Sequence, residues 1–308
     1  MNLPHVNRLT GLKWSRLCRR RSGNLTLGES QAWIAAALER GNPCAIGKVG
    51  TCELLAEEYL DRWIQLPWPA NASWKRPARR LYSNAGVFPV RRDIYLRWAS
   101  VYRSAVRQLD FVAQWQPEGS FLDAYEQAFL DRDLPGIARG DFYALEPGGA
   151  PWLQPMAKLR WLVITPFTET MRGQLPKLSL LNIFTGVTPA DLARVADTCR
   201  FLSCPQLPYM VTPRHRDWFH GLEEMQASIS QAEFDIAIVG AVAWSLPLVA
   251  HAKQMGKMAM HLGGTLNLLF GIKGGRFEHR GLYNEHWIRP LESERPANFK
   301  LLENGAYW

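Results

Sequence analysis

Two glycine-containing turns carry the residues best suited to hold a phosphate group. The first, Lys48-Val-Gly-Thr-Cys-Glu53, places a cation, a glycine and a carboxylate between a short apolar run and a helical stretch. The second, Gly271-Ile-Lys-Gly-Gly-Arg276, sets Lys273 and Arg276 around two adjacent glycines. Backbone N–H groups at such turns bind phosphate oxygens, and glycine lets a ligand approach the backbone closely. Lysine adds a point charge and arginine a planar fork, so both turns are candidates for a phosphate-bearing ligand.

Two further turns flank the last long helical stretch. Gly240-Ala-Val-Ala-Trp-Ser245 follows an apolar run, and Ser245 is placed to cap the helix that comes next. His261-Leu-Gly-Gly264 follows the next apolar run. Two interpretations stay open here. Gly240 and Ser245 form either a tight strand–helix turn or a ligand contact, and His261 is either a structural residue or part of the site.

Glu53 allows three roles. A carboxylate in the first turn of a helix is favoured by the helix dipole alone. It also suits a metal ligand or a general base beside bound phosphates. The chain lacks the full glycine fingerprint of dinucleotide sites, a GK[ST] element, and the hydrolase signatures GxSxG and HExxH. These absences exclude an ordinary NAD site, a Walker loop and those hydrolase classes.

Alternating apolar runs and helical stretches predict how these turns are positioned. Runs at 44–47, 161–164, 236–239 and 258–261 read as strands, with another at 209–211, and helices of about a dozen residues lie between them. This pattern is typical of an α/β protein with a Rossmann-like, doubly wound and mostly parallel sheet. Ligands bind such sheets at the carboxyl ends of the strands, where all four turns would meet.

The charge is unevenly distributed over the chain. The net charge is +8, and residues 1–28 contain six lysines and arginines and no acidic residue. Residues 75–107 contain nine lysines and arginines against one aspartate. We predict a basic arm at 1–28 and one α/β domain at 29–308, with a helical or irregular insertion at about 66–158. The basic segments suit an anionic membrane or a phosphorylated substrate, and no nucleic-acid-binding module accompanies them.

Composition predicts a cytoplasmic protein. The five cysteines are odd in number and lack CxxC spacing, as expected of reduced thiols. The amino terminus has no apolar signal region, and the longest apolar run, at 236–250, is too short to cross a membrane. We expect at most a peripheral contact with the inner membrane, through residues 8–21.

Several motifs together resemble a bacterial protein family associated with surface-polysaccharide gene clusters. The resemblance covers roughly residues 40–308 and is carried by Lys48-x-Gly50-x-x-Glu53, Ser83-Asn-Ala-Gly86, Ile238-Val-Gly-Ala241, Leu246-Pro-Leu248, Lys253-x-x-Gly-Lys257, His261-x-Gly-Gly264, Phe270-Gly-Ile-Lys-Gly274, Tyr283-Asn-Glu-His-Trp287 and Gly305-Ala-Tyr-Trp308. That family is in turn similar to glycosyltransferases of the GT-D fold. Those enzymes carry an Arg-Phe-Gly-Asp-x-Glu motif after the first strand, whose two acids support a divalent ion and a nucleotide sugar.

The resemblance implies a glycosyltransferase that uses a nucleotide-diphosphate sugar in capsule or lipopolysaccharide synthesis, with a saccharide or lipid-linked acceptor. Glu53 matches the motif glutamate and would be catalytic or hold Mn²⁺ or Mg²⁺, whereas Thr51 replaces the motif aspartate. This replacement keeps open the alternative of a non-catalytic nucleotide- or saccharide-binding protein of an assembly complex. The implied substrate-binding residues are Lys48, Gly50, Thr51, Asn84, Gly240, Ser245, His261, Gly263, Gly264, Lys273 and Arg276.

Overall fold

A computed structural model describes residues 26–63, 74–130, 137–139, 145 and 148–308. Most of the predicted basic arm at 1–28, including the segment 8–21, lies outside the described residues. In chain order the elements are α1 (Leu27–Arg40), β1 (Cys44–Lys48), α2 (Thr51–Trp63), α3 (Lys75–Ala85), α4 (Arg92–Val106), β2 (Phe111–Gln114), α5 (Phe121–Phe129), β3 (Ile137–Arg139), α6 (Leu153–Met156), β4 (Trp161–Thr165), α7 (Thr168–Gln174), α8 (Pro189–Thr198), β5 (Arg200–Ser203), α9 (Trp218–Gln231), β6 (Ile236–Val239), α10 (Ser245–Gln254), β7 (Met258–His261) and α11 (Thr265–Leu269).

The described strands form one seven-stranded sheet in the order β3-β2-β1-β7-β6-β4-β5, and every pairing is parallel. The predicted α/β class with a doubly wound parallel sheet is confirmed. The connection after β4 leads to β5 at one edge, and the connection after β6 leads the other way to β7. Neighbouring strands whose connections diverge leave a crevice outside their carboxyl ends.

Alternating side chains on the central strands build two hydrophobic layers, one on each face of the sheet. On β1, Ala45 packs into the layer formed with α2, α3, α4, α9 and α10, whereas Cys44 and Ile46 pack into the opposite layer. On β6, Ala237 and Ile238 divide in the same way. Burial on both faces explains why these strands read as continuous apolar runs in the sequence.

Capping residues set several helix ends where the sequence places them. Thr188 Oγ1 accepts a hydrogen bond of 3.1 Å from the Asp191 N–H, and Pro189 opens α8. Gly41 closes α1 in the left-handed region at φ 67°. No helix in the described part of the chain is both long and apolar enough to span a bilayer.

The structure departs from the sequence prediction at four segments. Residues 209–211 form a turn, not a strand, and the strand of that region is β5. β5 was missed because it is a partly exposed edge strand that begins with Arg200. β2 and β3 lie inside the range predicted as an insertion, yet both belong to the sheet. Residues 75–85, inside the predicted helical or irregular insertion, form α3 because Ala78, Leu81 and Ala85 make one buried stripe.

Candidate functional site

A cavity of about 380 Å³ lies at the carboxyl edge of the sheet, where the segments after β1, β4, β6 and β7 converge. This volume suits a small-molecule ligand. Ten of the twelve predicted site residues line it, from both ends of the chain: Lys48, Gly50, Thr51, Glu53, Asn84, Gly240, His261, Gly263, Gly264 and Arg276. Ser245 and Lys273 are not among the lining residues.

Glu53 lies in the first turn of α2 and is only 7% exposed. Its carboxylate folds back over Gly50, where an added Cβ would lie 2.1 Å from Oε2. Glycine at position 50 is therefore what leaves room for the carboxylate. Burial raises the pKa of Glu53 to about 7, so near neutral pH the group exists in both protonation states. A carboxyl group of this kind can take or give a proton at a bound ligand.

At the floor of the cavity, residues from the carboxyl ends of β1, β7 and β2 are in contact. His261 Nδ1 lies 3.1 Å from the Lys48 carbonyl oxygen, and since a carbonyl only accepts, Nδ1 carries the proton and Nε2 is an acceptor. Burial, followed by the charge of Lys48, lowers the pKa of His261 to about 3. The ring is therefore neutral at pH 7 and is a hydrogen-bonding group, not an effective base. The Lys48 ammonium lies 4.7 Å from the centroid of the Trp115 ring.

Arg276, in the turn at 274–276, and several residues of the segment 302–308 also line the cavity. Arg276 Nη1 donates to the Tyr307 hydroxyl at 2.6 Å and lies 3.7 Å from a Glu303 carboxylate oxygen. The backbone packs closely as well, because a Cβ at Gly274 would lie 2.7 Å from the Ala306 carbonyl oxygen. The Arg276 guanidinium thus faces the cavity on a support built largely by residues 302–308.

Two predicted site residues, Ser245 and Lys273, do not line the cavity. Ser245 is fully buried, and its Oγ accepts a hydrogen bond of 2.9 Å from the Ala241 N–H. It shapes the turn after β6 from within, whereas the helix is preceded by Trp244 with no side-chain cap. Lys273 is bound through its backbone N–H to the Ile288 carbonyl at 2.7 Å. The lysine and arginine residues that line the cavity are Lys48, Arg276 and Arg280, and Lys273 is not one of them.

The turn after β6 contains strained backbone. Val242 lines the cavity with φ 44°, a region that β-branched residues rarely adopt. The turn around Val242 is held by the hydrogen bond from the Ala241 N–H to Ser245 Oγ and by the stacking of Trp244 on Trp218, whose ring centroids are 6.1 Å apart. Gly240, at the start of the turn, approaches the Gly263 carbonyl so closely that a Cβ would lie 3.1 Å from it. Strain of this kind concentrates at binding and catalytic sites.

Sequence reasoning missed several lining residues, among them Cys52, Trp115, Phe167, Leu207, Tyr307 and Trp308. Trp115 follows β2, so recognising that strand would have placed it at the carboxyl edge. Phe167 follows the predicted strand at 161–164 and could have been found by the same rule. Burial, followed by the charge of Glu53, raises the pKa of the Cys52 thiol, so Cys52 is not an activated nucleophile.

The residues that the structure describes do not by themselves form a cation site. Among the described residues, no three His, Cys, Asp or Glu side chains gather closely enough to hold a metal ion. Thr51, at the position of the motif aspartate, instead receives a hydrogen bond of 3.2 Å from Gln116 Nε2 on its Oγ1. A hard divalent ion here would have Glu53 as its inner carboxylate and would depend on oxygens of the ligand.

Comparisons with family models and with curated proteins gave no match. Among solved structures, the chain is similar to one described as "The highly conserved domain of unknown function 1792 has a distinct glycosyltransferase fold". The superposition covers 96% of this chain and 93% of that chain, with a TM-score of 0.48 and 14% sequence identity. A likeness at this level does not establish a shared activity.

Proposed function

We propose that the protein is a glycosyltransferase that binds a nucleotide-diphosphate sugar in the cavity at the carboxyl edge of the sheet. The observation that carries the proposal is the placing of two cations, Lys48 and Arg276, and the buried carboxylate of Glu53 around one cavity. The cations suit a diphosphate, and the carboxylate suits proton transfer. The resemblance of Lys48–Glu53 to the glycosyltransferase motif is the reason for proposing that the diphosphate carries a sugar. It also suggests surface-polysaccharide synthesis as the setting.

In the proposed reaction, an acceptor hydroxyl oxygen forms a bond to the anomeric carbon of the sugar. The bond from that carbon to the diphosphate oxygen breaks, and the nucleoside diphosphate leaves with the electron pair. Glu53 takes the hydroxyl proton. Lys48 and Arg276 stabilise the charge that develops on the leaving diphosphate. His261, neutral and bound to the Lys48 carbonyl, holds the floor of the site in place.

Glu53→Gln tests the proposal because it keeps the shape of the side chain and removes the base. With a panel of nucleotide sugars, transfer should fall by about 100-fold or more, while calorimetric donor affinity stays within about threefold. In the wild type, kcat/KM should rise with pH through about 7, and this rise should be absent from the variant. Transfer that survives Glu53→Gln unchanged would remove Glu53 from the mechanism.

Thr51 favours a second candidate function, a nucleotide-sugar-binding protein without transfer activity, because it replaces one of the two motif acids. Such a protein would bind a nucleotide sugar and show no turnover. Measurements with and without Mn²⁺ and Mg²⁺ separate the two candidates. Transfer that appears only with the ion would mean that the ligand completes a cation site at Glu53. Binding without transfer under all conditions would favour the second candidate.

A further inference from the structure

The exposed face of α3 carries a row of cations. Lys75, Arg76, Arg79 and Arg80 are all exposed, and the helix contains no acidic residue. No ion pair is formed between Lys75, Arg76 or Arg79 and any carboxylate in the described ranges. The buried stripe of the helix fixes which face is turned outward, so the row is a permanent feature of the surface.

This row ends at the mouth of the cavity. Asn84, one turn after Arg80, lines the cavity together with Cys52, and the Arg80 guanidinium lies close enough to the Cys52 thiol to oppose the rise of its pKa on burial. Directly after the helix, Gly86 is packed against Leu207, where an added Cβ would lie 3.3 Å from Cδ2. With a rise of 1.5 Å per residue, α3 spans about 16 Å. The cations therefore lead from the surface to the rim of the cavity.

Exposed aliphatic side chains lie on the segments that form the same rim. Val211 is 39% exposed and Leu301 is 66% exposed, although their neighbours Met210 and Leu302 are buried together beside the cavity. The loop that carries Val211 lies against α3, because the rings of Tyr82 and Tyr209 are 6.2 Å apart. Protein surfaces that bind lipid headgroups and acyl chains combine cations with protruding aliphatic side chains. A soluble phosphate polymer would need only the cations.

We propose that α3 and the rim residues Val211 and Leu301 dock the protein onto an anionic lipid bilayer, with the mouth of the cavity turned toward the headgroups. The inference goes beyond the proposed function, since it concerns the surface outside the cavity and makes no use of Glu53 or the donor. It places the predicted membrane contact on the folded domain. A lipid-linked acceptor would meet the cavity directly in this orientation.

Sedimentation of the full chain with phosphatidylcholine vesicles, with and without phosphatidylglycerol, tests the docking. We expect binding only to the anionic vesicles, weakening steeply with salt. Because each cation near such a surface contributes about a fivefold factor, Arg76→Gln/Arg79→Gln should lower the partition coefficient by about 25-fold. Arg76→Lys/Arg79→Lys keeps the charge and should keep the binding. Val211→Ser should weaken it severalfold without changing the salt dependence.

Arg40→Gln/Lys158→Gln is the matched control. It removes the same charge from exposed positions at the amino edge of the sheet, before β1 and β4, and should change the partition coefficient by less than about twofold. Three outcomes would overturn the proposal. The first is equal losses in the two glutamine pairs. The second is vesicle binding by Arg76→Gln/Arg79→Gln that equals that of the wild type. The third is binding to soluble polyphosphate that is as strong per phosphate as binding to vesicles and that Val211→Ser does not change.

Discussion

The side of the cavity that carries Glu53 is held by contacts between several helices, among them the buried Glu57, whereas the Arg276 side chain is held by partly exposed polar contacts. We call these the Glu53 wall (β1, the turn at 48–53 and α2) and the Arg276 wall (residues 274–276 and 302–308). The difference indicates a division of labour. A group that transfers a proton must be positioned before the ligand arrives, whereas a group that binds a charged ligand can change partners when the ligand arrives.

The Glu53 wall is anchored one turn after Glu53 itself. Arg103 on α4 donates to Glu57 through Nε at 2.5 Å and to Asp61 through Nη2 at 2.8 Å. Tyr125 on α5 donates to the other oxygen of Asp61 at 2.6 Å. Glu57 is fully buried, and burial raises its pKa while Arg103 opposes that rise. These contacts tie α2 to two further helices.

The Arg276 wall relies on strained backbone. Glu303 and Asn304 have φ values of 47° and 55°, which lie in the left-handed region that residues other than glycine seldom adopt. Glu303 and Arg276 are both about half exposed, and their charged atoms are 3.7 Å apart. An exposed ion pair at this distance contributes little stability. This wall is therefore the one that a ligand can rearrange at small cost.

Arg103→Met should have the largest effect, because it breaks the anchor of the Glu53 wall and leaves Glu57 and Asp61 without their cation. We expect the free energy of unfolding, measured by urea denaturation, to fall by about 3 kcal/mol. Arg91→Met, which removes the exposed pair with Asp93, is the matched control and should cost less than about 1 kcal/mol. Equal losses in the two variants would show that the Glu53 wall is no better anchored than the surface.

Gly50→Ala should have the next largest effect, because the new Cβ would take the position of the Glu53 carboxylate. If Glu53 is the base, transfer should fall by about 100-fold, close to the loss in Glu53→Gln. A readout that needs no substrate is the infrared titration of Glu53, identified by difference from Glu53→Gln. Since burial is what raises the pKa to about 7, expulsion of the carboxylate should lower it toward its ordinary value.

Gly173→Ala is the control for Gly50→Ala. A Cβ at Gly173 meets nothing within 4 Å, so this variant should leave both the titration and the transfer unchanged. A Gly50→Ala protein that titrates like the wild type would mean that the Glu53 wall yields as easily as the Arg276 wall, and the comparison between them would fail.

Much of the fold was predictable because its strands are buried on both faces. The strands predicted at 44–47, 161–164, 236–239 and 258–261 are confirmed as β1, β4, β6 and β7. Their carboxyl ends brought the Lys48–Glu53, Gly240 and His261 turns to one edge, as the rule for parallel sheets states. β5 escaped because an edge strand is partly exposed, and β2 because it follows α4 so closely that its apolar residues continue the helical pattern.

Side-chain direction was not predictable in the same way. Lys273 and Arg276 lie three residues apart in one turn, and nothing in their spacing tells that only Arg276 lines the cavity. That outcome depends on residues 302–308, which pack on the turn from a distant part of the sequence. The direction in which the Glu53 side chain turns back over Gly50 likewise depends on tertiary packing. Whether the lining residues bind a nucleotide sugar stays a prediction.

Glu303→Gln should have the smallest effect and is the direct test of the Arg276 wall. Glu303 offsets part of the Arg276 charge, so a phosphate-bearing ligand must compete with it for the guanidinium. Removing the carboxylate charge should raise the affinity for inorganic pyrophosphate, measured by calorimetry, by about two- to fivefold, the range expected for a solvent-exposed pair. Glu169→Gln removes the same charge from an exposed pair with Arg172 and should leave the affinity unchanged. A loss of affinity in Glu303→Gln would mean that the carboxylate orients Arg276 for the ligand, in which case the Arg276 wall is preorganised like the Glu53 wall and not rearranged on binding.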